Sequence, residues 1–176
     1  LWIMFPMVGS LDDIRRAKEL LETAKKQLEE RGVPYSSTVK TGIMIEIPSI
    51  ALIADLAARE VDFASIGTND LTQYSIAVDR MNPALGEYYQ RYHPALFRLM
   101  GFVIDSFAKE GKPVSVCGEM GGDPYAAAVL AGLGMSKLSM GLASVARIKK
   151  LLSGLTMEKA RELAEKVCTL PTSKEV

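Results

Sequence analysis

The chain has 176 residues and a formal net charge of zero, with 48% hydrophobic and 24% charged residues, which is typical of one globular domain. A neutral chain lacks the basic surface on which nucleic-acid binding depends, and no apolar run reaches the length of about 18 residues that a membrane-spanning helix needs. Two cysteines are too few for a disulfide framework. We therefore expect a cytoplasmic protein that binds no nucleic acid and inserts into no membrane.

Short apolar segments alternate with longer amphipathic ones along the chain. The apolar segments predict five strands, at residues 3–7, 42–47, 62–66, 114–117 and 137–140. The amphipathic segments predict helices from Ser10 to Gly32, then over residues 48–58, 94–109, 124–131, 145–152 and 156–168. The mostly polar stretch between Asp70 and Pro94 is assigned no element. This alternation predicts an α/β fold in which helices cover a parallel sheet.

The length of the chain limits which parallel fold it can form. A closed (β/α)₈ barrel needs roughly 250 residues, so this chain corresponds to about five βα units. The sheet is therefore either an open five-stranded one or part of a barrel. The chain also begins at Leu1 rather than at Met, and we expect it to be a fragment.

Polar residues lie at the ends of three predicted strands. Glu46 is near the end of the second strand, Asn69 and Asp70 follow the third, and Cys117 ends the fourth. Ligands of parallel α/β proteins bind beyond the carboxyl ends of the strands. The sequence therefore predicts a binding site at this rim.

Glu46 interrupts an apolar strand, where a carboxylate is costly unless it is paired or binds a metal. Together with Asp70 it offers two carboxylates on neighbouring strand ends, which is a suitable ligand pair for Mg²⁺. An ion pair between Glu46 and a Lys or Arg of the next βα unit explains the pattern equally well. The sequence alone leaves the choice between a metal ion and an ion pair open.

The string Gly67-Thr68-Asn69-Asp70 predicts a tight turn after the third strand. Its backbone N–H groups and the Asn69 amide can hold a phosphate, and Arg80 adds a guanidinium group. The alternative is an ordinary helix cap, provided by Thr68 or Asn69, beside a surface arginine.

Cys117 is followed by Gly118, which lets a ligand approach the thiol. An unperturbed thiol is mostly protonated at neutral pH, so it can donate a proton as readily as it can attack a substrate. The alternative is a buried structural cysteine, which is also our interpretation of Cys168. His93, the single histidine, precedes a proline and is interpreted as the start of a helix rather than as a phosphoryl acceptor.

Taken together, these motifs resemble enzyme I of the bacterial phosphoenolpyruvate:sugar phosphotransferase system, in the later part of its phosphoenolpyruvate-binding domain. The resemblance runs through essentially the whole chain. The matching strings lie at residues 3–7, 42–48, 61–74, 77–80, 116–119 and 146–150. Pyruvate phosphate dikinase and phosphoenolpyruvate synthase share several of these strings and are the alternative enzymes, although residues 78–82 are more like enzyme I.

The resemblance implies a (β/α)₈ TIM barrel of the phosphoenolpyruvate/pyruvate-binding type, with residues 1–176 forming its strands 4 to 8. It implies that Glu46 and Asp70 bind Mg²⁺, that Asn69, Asp70 and Arg80 contact phosphoenolpyruvate, and that Cys117 protonates the enolate to give pyruvate. The phosphoryl group would pass to a histidine on a separate N-terminal domain and then to a histidine-containing phosphocarrier protein, as the first step of sugar transport. Members of the family also form homodimers through this domain.

The first three barrel strands, and the arginines that the family places on them, would lie outside this chain. We therefore expect the polypeptide alone to bind phosphoenolpyruvate poorly and to be inactive. The alternative from another class of protein is a non-catalytic binding or dimerisation module.

Overall fold

The computed structural model describes residues 1–176 and contains one parallel sheet. Its strands pair in chain order, and they are β1 (Trp2–Phe5), β2 (Lys40–Ile45), β3 (Phe63–Gly67), β4 (Val114–Cys117) and β5 (Lys137–Leu138). The helices are α1 (Leu11–Glu30), α2 (Pro48–Leu52), α3 (Ala54–Glu60), α4 (Thr68–Ile76), α5 (Pro94–Lys109), α6 (Pro124–Gly132), α7 (Leu142–Ser153) and α8 (Met157–Thr169). Two 3₁₀ turns cover Pro83–Tyr88 and Glu119–Gly122. The predicted α/β fold is confirmed.

The strand register separates the side chains into two sets, because successive residues of a strand point to opposite faces. Ile43 pairs with Ala64 and Ile66 with Val116, and all four are buried in the main hydrophobic core. Bulky aliphatic side chains therefore line the face that packs against the helices. The other face carries a mixed set of side chains, which includes Met4, Met44, Phe63, Ser65 and Cys117.

The mixed face is strongly concave. Trp2 on β1 packs against Phe63 on β3 with ring centroids 4.7 Å apart, and Lys137 on β5 places its Nζ 5.6 Å from the centroid of Trp2. Gly42 makes this approach possible, because a Cβ there would lie 2.5 Å from the Phe63 ring. Side chains of the first and last strands meet only if the sheet curls into a barrel wall.

Several element boundaries differ from the prediction. The helix expected over residues 48–58 is divided at Ile53, whose φ of −116° and ψ of 30° are not helical. The strand expected to reach residue 140 ends at Leu138, and α7 begins at Leu142 rather than at residue 145. None of the helices is both long and apolar enough to cross a lipid bilayer.

The helix α4 was not predicted. Its sequence is polar and only three of its residues are buried, so no apolar periodicity marks it. It begins at the residue after β3, and Thr72 secures its first turn by donating a hydrogen bond to the carbonyl of Thr68 at 2.7 Å. Tertiary packing at the sheet end, rather than helix propensity, therefore determines this element.

Candidate active site at the carboxyl ends of the strands

Glu46 lies one residue beyond β2 on the concave side, and only 4% of its surface is exposed. Its Oε1 accepts a hydrogen bond of 2.7 Å from the backbone N–H of Met7, which follows β1. None of the ion pairs in the structure includes Glu46. The ion pair considered for this residue is therefore wrong, because a backbone donor of the neighbouring strand end satisfies the buried carboxylate instead.

The second oxygen of Glu46 faces Gly67, the last residue of β3. A Cβ on Gly67 would lie 2.9 Å from Oε2 and 3.1 Å from Met44 Sδ. No fully buried side-chain nitrogen or oxygen lacks a hydrogen-bond partner, and Oε2 accepts no hydrogen bond, so it keeps contact with solvent. The glycine thus leaves a niche in which Oε2 is free to take a ligand.

The first turn of α4 has no side-chain cap, since its N-cap residue is Gly67. The alternative interpretation, in which Thr68 or Asn69 caps a helix, is wrong because both side chains make other hydrogen bonds. Thr68 Oγ1 donates to the carbonyl of Cys117 at 3.1 Å, and Asn69 Oδ1 accepts from the N–H of Glu119 at 3.4 Å. The N–H groups of the first turn, which carry the positive end of the helix dipole, are left for an anion.

Asp70 and Arg80 form an ion pair at the same rim, with Arg80 Nη1 2.9 Å from Asp70 Oδ1. Arg80 lies beyond the end of α4, which terminates at Ala77 with a left-handed φ of 53°. The backbone N–H of Arg80 donates to Gln73 Oε1 at 3.0 Å. Two side chains of α4 therefore hold this arginine at the site.

Cys117 ends β4 and lies beside Gly67 in the strand register. Its thiol donates a hydrogen bond to the carbonyl of Ile66 with Sγ 3.4 Å from the oxygen. A carbonyl can only accept a hydrogen bond, so the thiol is the donor in this contact. The arrangement suits a proton donor better than a nucleophile, which would need an adjacent base.

The other residues with reactive side chains have structural roles. His93 caps α5, where its Nδ1 accepts from the N–H of Ala95 at 3.2 Å, as expected of a helix start. Cys168 packs against the hydrophobic core, and burial raises the pKa of its thiol. The predicted helix start at His93 and the predicted packing of Cys168 are confirmed.

The sequence did not show that three further residues, namely Thr68, Gln73 and Tyr89, make hydrogen bonds that support the site. The Tyr89 hydroxyl donates to the carbonyl of Asn69 at 3.2 Å, and burial raises the pKa of this phenol. The partners of Thr68 and Tyr89 lie 49 and 20 residues away in the chain. Thr68 and Gln73 belong to the polar segment that directly follows β3, whereas no local sequence pattern marks Tyr89.

The structure therefore places Glu46, Asn69, Asp70 and Cys117 at the ends of three consecutive strands, with Arg80 joined to them through Asp70. No group of three His, Cys, Asp or Glu side chains is arranged to enclose a metal ion. Two carboxylates can bind a hard cation that takes its remaining ligands from water and substrate. They are too few for a metal site formed by protein ligands alone.

The sheet is parallel and curved, and its polar side chains lie together at the carboxyl ends of the strands. This arrangement is typical of anion-binding enzyme domains of the barrel type. Residues 1–157 match the family model described as "PEP-utilising enzyme, PEP-binding domain". The chain belongs to this family of phosphoenolpyruvate-binding domains.

Curated relatives are similar over nearly the whole chain. The phosphoenolpyruvate-protein phosphotransferase of Geobacillus stearothermophilus is 46% identical over 174 residues, and that of Bacillus subtilis (strain 168) is 44% identical over the same length. In both cases the match covers 99% of this chain but 30% of the relative. The chain therefore spans about a third of the length of these proteins.

Solved structures support the fold. A citrate lyase from Burkholderia xenovorans LB400 aligns with a TM-score of 0.56 at 16% identity, over 95% of this chain and 62% of that one. RipC from Yersinia pestis aligns with a TM-score of 0.54 at 12% identity, over 89% and 66% of the two chains. At such low sequence identities, these structural similarities provide evidence for the fold and for nothing further.

Proposed function

We propose that this chain forms the later part of the phosphoenolpyruvate-binding domain of a phosphoenolpyruvate-protein phosphotransferase. The observation that carries the proposal is the thiol of Cys117, which donates a hydrogen bond to the carbonyl of Ile66 with Sγ 3.4 Å from the oxygen. It lies at the same rim as the Arg80–Asp70 pair and the uncapped first turn of α4. A proton donor beside an anion site is what the conversion of phosphoenolpyruvate to pyruvate needs.

The rim offers separate groups for the phosphate and for a metal ion. The first-turn N–H groups of α4 and the guanidinium of Arg80 are donors for phosphate oxygens. Because Asn69 Oδ1 is engaged by Glu119, its Nδ2 is the group left to donate to the substrate. Glu46 and Asp70 would hold Mg²⁺, which when bound would offset the negative charge of the phosphoryl group in transfer.

Cys117 acts after the phosphoryl group has left. The P–O bond of phosphoenolpyruvate breaks as a P–N bond forms to a histidine on a separate N-terminal domain, and the enolate of pyruvate remains. Cys117 then gives its S–H proton to the enolate carbon, and the thiolate recovers a proton from solvent.

The complete protein would pass the phosphoryl group on to a histidine-containing phosphocarrier protein, as the first step of sugar transport. A homodimer formed through this domain and a cytoplasmic location belong to the same proposal. The curated relatives named above favour this assignment over the dikinase and the synthase.

We further propose that the 176-residue chain alone binds phosphoenolpyruvate poorly and transfers no phosphoryl group. Arg80 is the one guanidinium assigned to the phosphate at this rim, whereas the resemblance places further arginines for it on earlier strands, so much of the charge of a polyanionic substrate would stay unbalanced. Calorimetry of the chain with phosphoenolpyruvate and Mg²⁺ should show no binding stronger than about millimolar, or roughly −4 kcal/mol. Micromolar affinity would contradict this expectation.

The catalytic assignment is tested in a chimera in which this chain replaces the matching 174 residues of the Geobacillus stearothermophilus relative. We expect the chimera to form pyruvate, and Cys117→Ala to slow pyruvate formation by roughly 100-fold or more while phosphoenolpyruvate affinity is kept. Cys168→Ala is the matched control and should leave the rate unchanged. A folded chimera without activity would overturn the function, and full turnover by Cys117→Ala would overturn the role of the thiol.

A further inference from the structure

The loop that follows β4 is held on both sides by the first turn of α4. The carbonyl of Cys117 accepts from Thr68 Oγ1 at 3.1 Å, and the N–H of Glu119 donates to Asn69 Oδ1 at 3.4 Å. These two contacts flank Gly118. The loop is therefore clamped at the residue before the glycine and at the residue after it.

The Thr68 side chain is closely packed in this contact. It is 2% exposed, and the carbonyl of the same residue accepts from the Thr72 hydroxyl at 2.7 Å. A β-branched side chain in a helix has few χ1 rotamers, and the hydrogen bond to the Cys117 carbonyl uses one of them. Burial and this hydrogen bond together fix the direction of the Thr68 hydroxyl.

Gly118 shows how tightly the hydroxyl fits against the loop. The glycine has a left-handed φ of 95°, and a Cβ on it would lie 2.5 Å from Thr68 Oγ1. Any larger residue at this position would be unfavourable for two reasons, namely the left-handed backbone conformation and the steric contact with the Thr68 hydroxyl. The loop and the threonine are therefore complementary in shape as well as hydrogen-bonded.

Both polar ends of Cys117 are attached to the same segment. The thiol donates to the carbonyl of Ile66, and the main-chain carbonyl accepts from Thr68, two residues further along. The end of β3 and the start of α4 therefore fix the orientation of Cys117 at both ends. Without the second contact, the peptide that follows the cysteine could turn and take the sulfur with it.

We propose that Thr68 is a positioning residue for Cys117, which aims the thiol at the rim by fixing the Cys117–Gly118 peptide. Its role in turnover rests on the proposed function of Cys117 as proton donor. The orientation of the thiol, however, can be measured without any substrate.

The substrate-free test uses the chain with Cys168→Ala, so that Cys117 is the single cysteine, and measures its rate of alkylation by iodoacetamide. Thr68→Val removes the hydroxyl at similar volume, and should raise the alkylation rate roughly fivefold, as expected of an opening equilibrium that loses one hydrogen bond. Thr68→Ser keeps the hydroxyl and should restore the parent rate. The matched control is Ser106→Ala, which deletes another buried hydroxyl-to-carbonyl bond, of 2.7 Å to Phe102, far from the site.

An alkylation rate of Thr68→Val equal to that of the Ser106→Ala control would overturn the proposal. If the valine variant does not fold, Thr68→Ala, which also removes the hydroxyl, takes its place in the same comparison, and a rate equal to that of the Ser106→Ala control would again overturn the proposal.

A second arm uses the chimera described above. Thr68→Val should lower kcat with little change in KM for phosphoenolpyruvate, since the substrate contacts are kept. If the chimera with native Thr68 is inactive, the proposed function fails, whereas the alkylation result still decides whether Thr68 positions the thiol.

Discussion

Arg80 Nη1 lies 2.9 Å from Asp70 Oδ1, so the guanidinium proposed to bind phosphate is paired with a carboxylate proposed to bind metal. The two side chains are 32% and 29% exposed. At such exposure an ion pair contributes only about 0.2–1 kcal/mol to stability. The pair can therefore separate to admit substrate at little cost, and it keeps both groups at the rim until then.

Replacing Arg80 by Gln should weaken the binding of phosphoenolpyruvate but have little effect on the stability of the fold. We expect the free energy of unfolding in urea to fall by no more than about 1 kcal/mol. In the chimera, KM for phosphoenolpyruvate should rise by roughly tenfold or more, because a charge-assisted donor to the phosphate is lost. Arg16→Gln breaks an exposed pair of 3.0 Å on α1 and should affect stability as little, with no change in KM.

A loss of several kcal/mol in Arg80→Gln would show that the arginine is a structural residue. An unchanged KM would remove it from the phosphate site.

Gly67→Ala tests the niche beside Glu46. The new Cβ would lie 2.9 Å from Glu46 Oε2 and 3.1 Å from Met44 Sδ, although the backbone of Gly67 has an ordinary φ of −84°. We expect a loss of about 1–3 kcal/mol in the free energy of unfolding through overpacking. Gly86→Ala, with no atom within 4 Å of its Cβ, is the control and should be nearly neutral. Equal stabilities of the two variants would mean that the niche is not closely packed.

The sequence was sufficient to predict the sheet and to place the candidate residues at its carboxyl ends, because both depend on local patterns. Continuous apolar segments mark β2 and β3, and a carboxylate within an apolar segment is conspicuous in any sequence. The partner of Glu46 could not be predicted, because it is the backbone N–H of Met7, 39 residues away. Main-chain donors leave no signature in the side chains.

The helix α4 is an element that local sequence patterns could not predict. Its polar sequence gives no helical periodicity, and its first turn is fixed by contacts to the end of β4 that only the folded sheet creates. The same contacts explain why the side chains of Thr68 and Asn69 do not cap the helix. Residues that hold two strand ends together are defined by tertiary structure, so a local reading assigns them to the commoner role of a cap.

Tyr92 predicts a pH dependence of stability. Burial and a hydrogen bond of 2.8 Å to Asp123 Oδ2 raise the pKa of Tyr92 to about 12, against about 10 in an unfolded chain. Between these values the folded state binds more protons, so the stabilisation is complete below pH 10 and is lost as pH rises through about 12. In urea unfolding experiments, the free energy of unfolding of Tyr92→Phe should therefore fall less over this pH range than that of the parent chain. Tyr88→Phe, at a residue that is 64% exposed, is the control and should show the same pH dependence as the parent chain.

Glu46→Gln separates the structural and the metal-binding roles of this residue. The amide carbonyl of Gln can accept from the N–H of Met7 as Oε1 does at 2.7 Å, so we expect the free energy of unfolding to change by less than about 1 kcal/mol. An uncharged amide is a much weaker ligand for a divalent cation. In the chimera, the Mg²⁺ concentration needed for half-maximal pyruvate formation should therefore rise by about tenfold or more, whereas Glu46→Ala should in addition destabilise the fold because the Met7 N–H loses its acceptor. An unchanged Mg²⁺ requirement in Glu46→Gln would leave the buried carboxylate with the structural role alone.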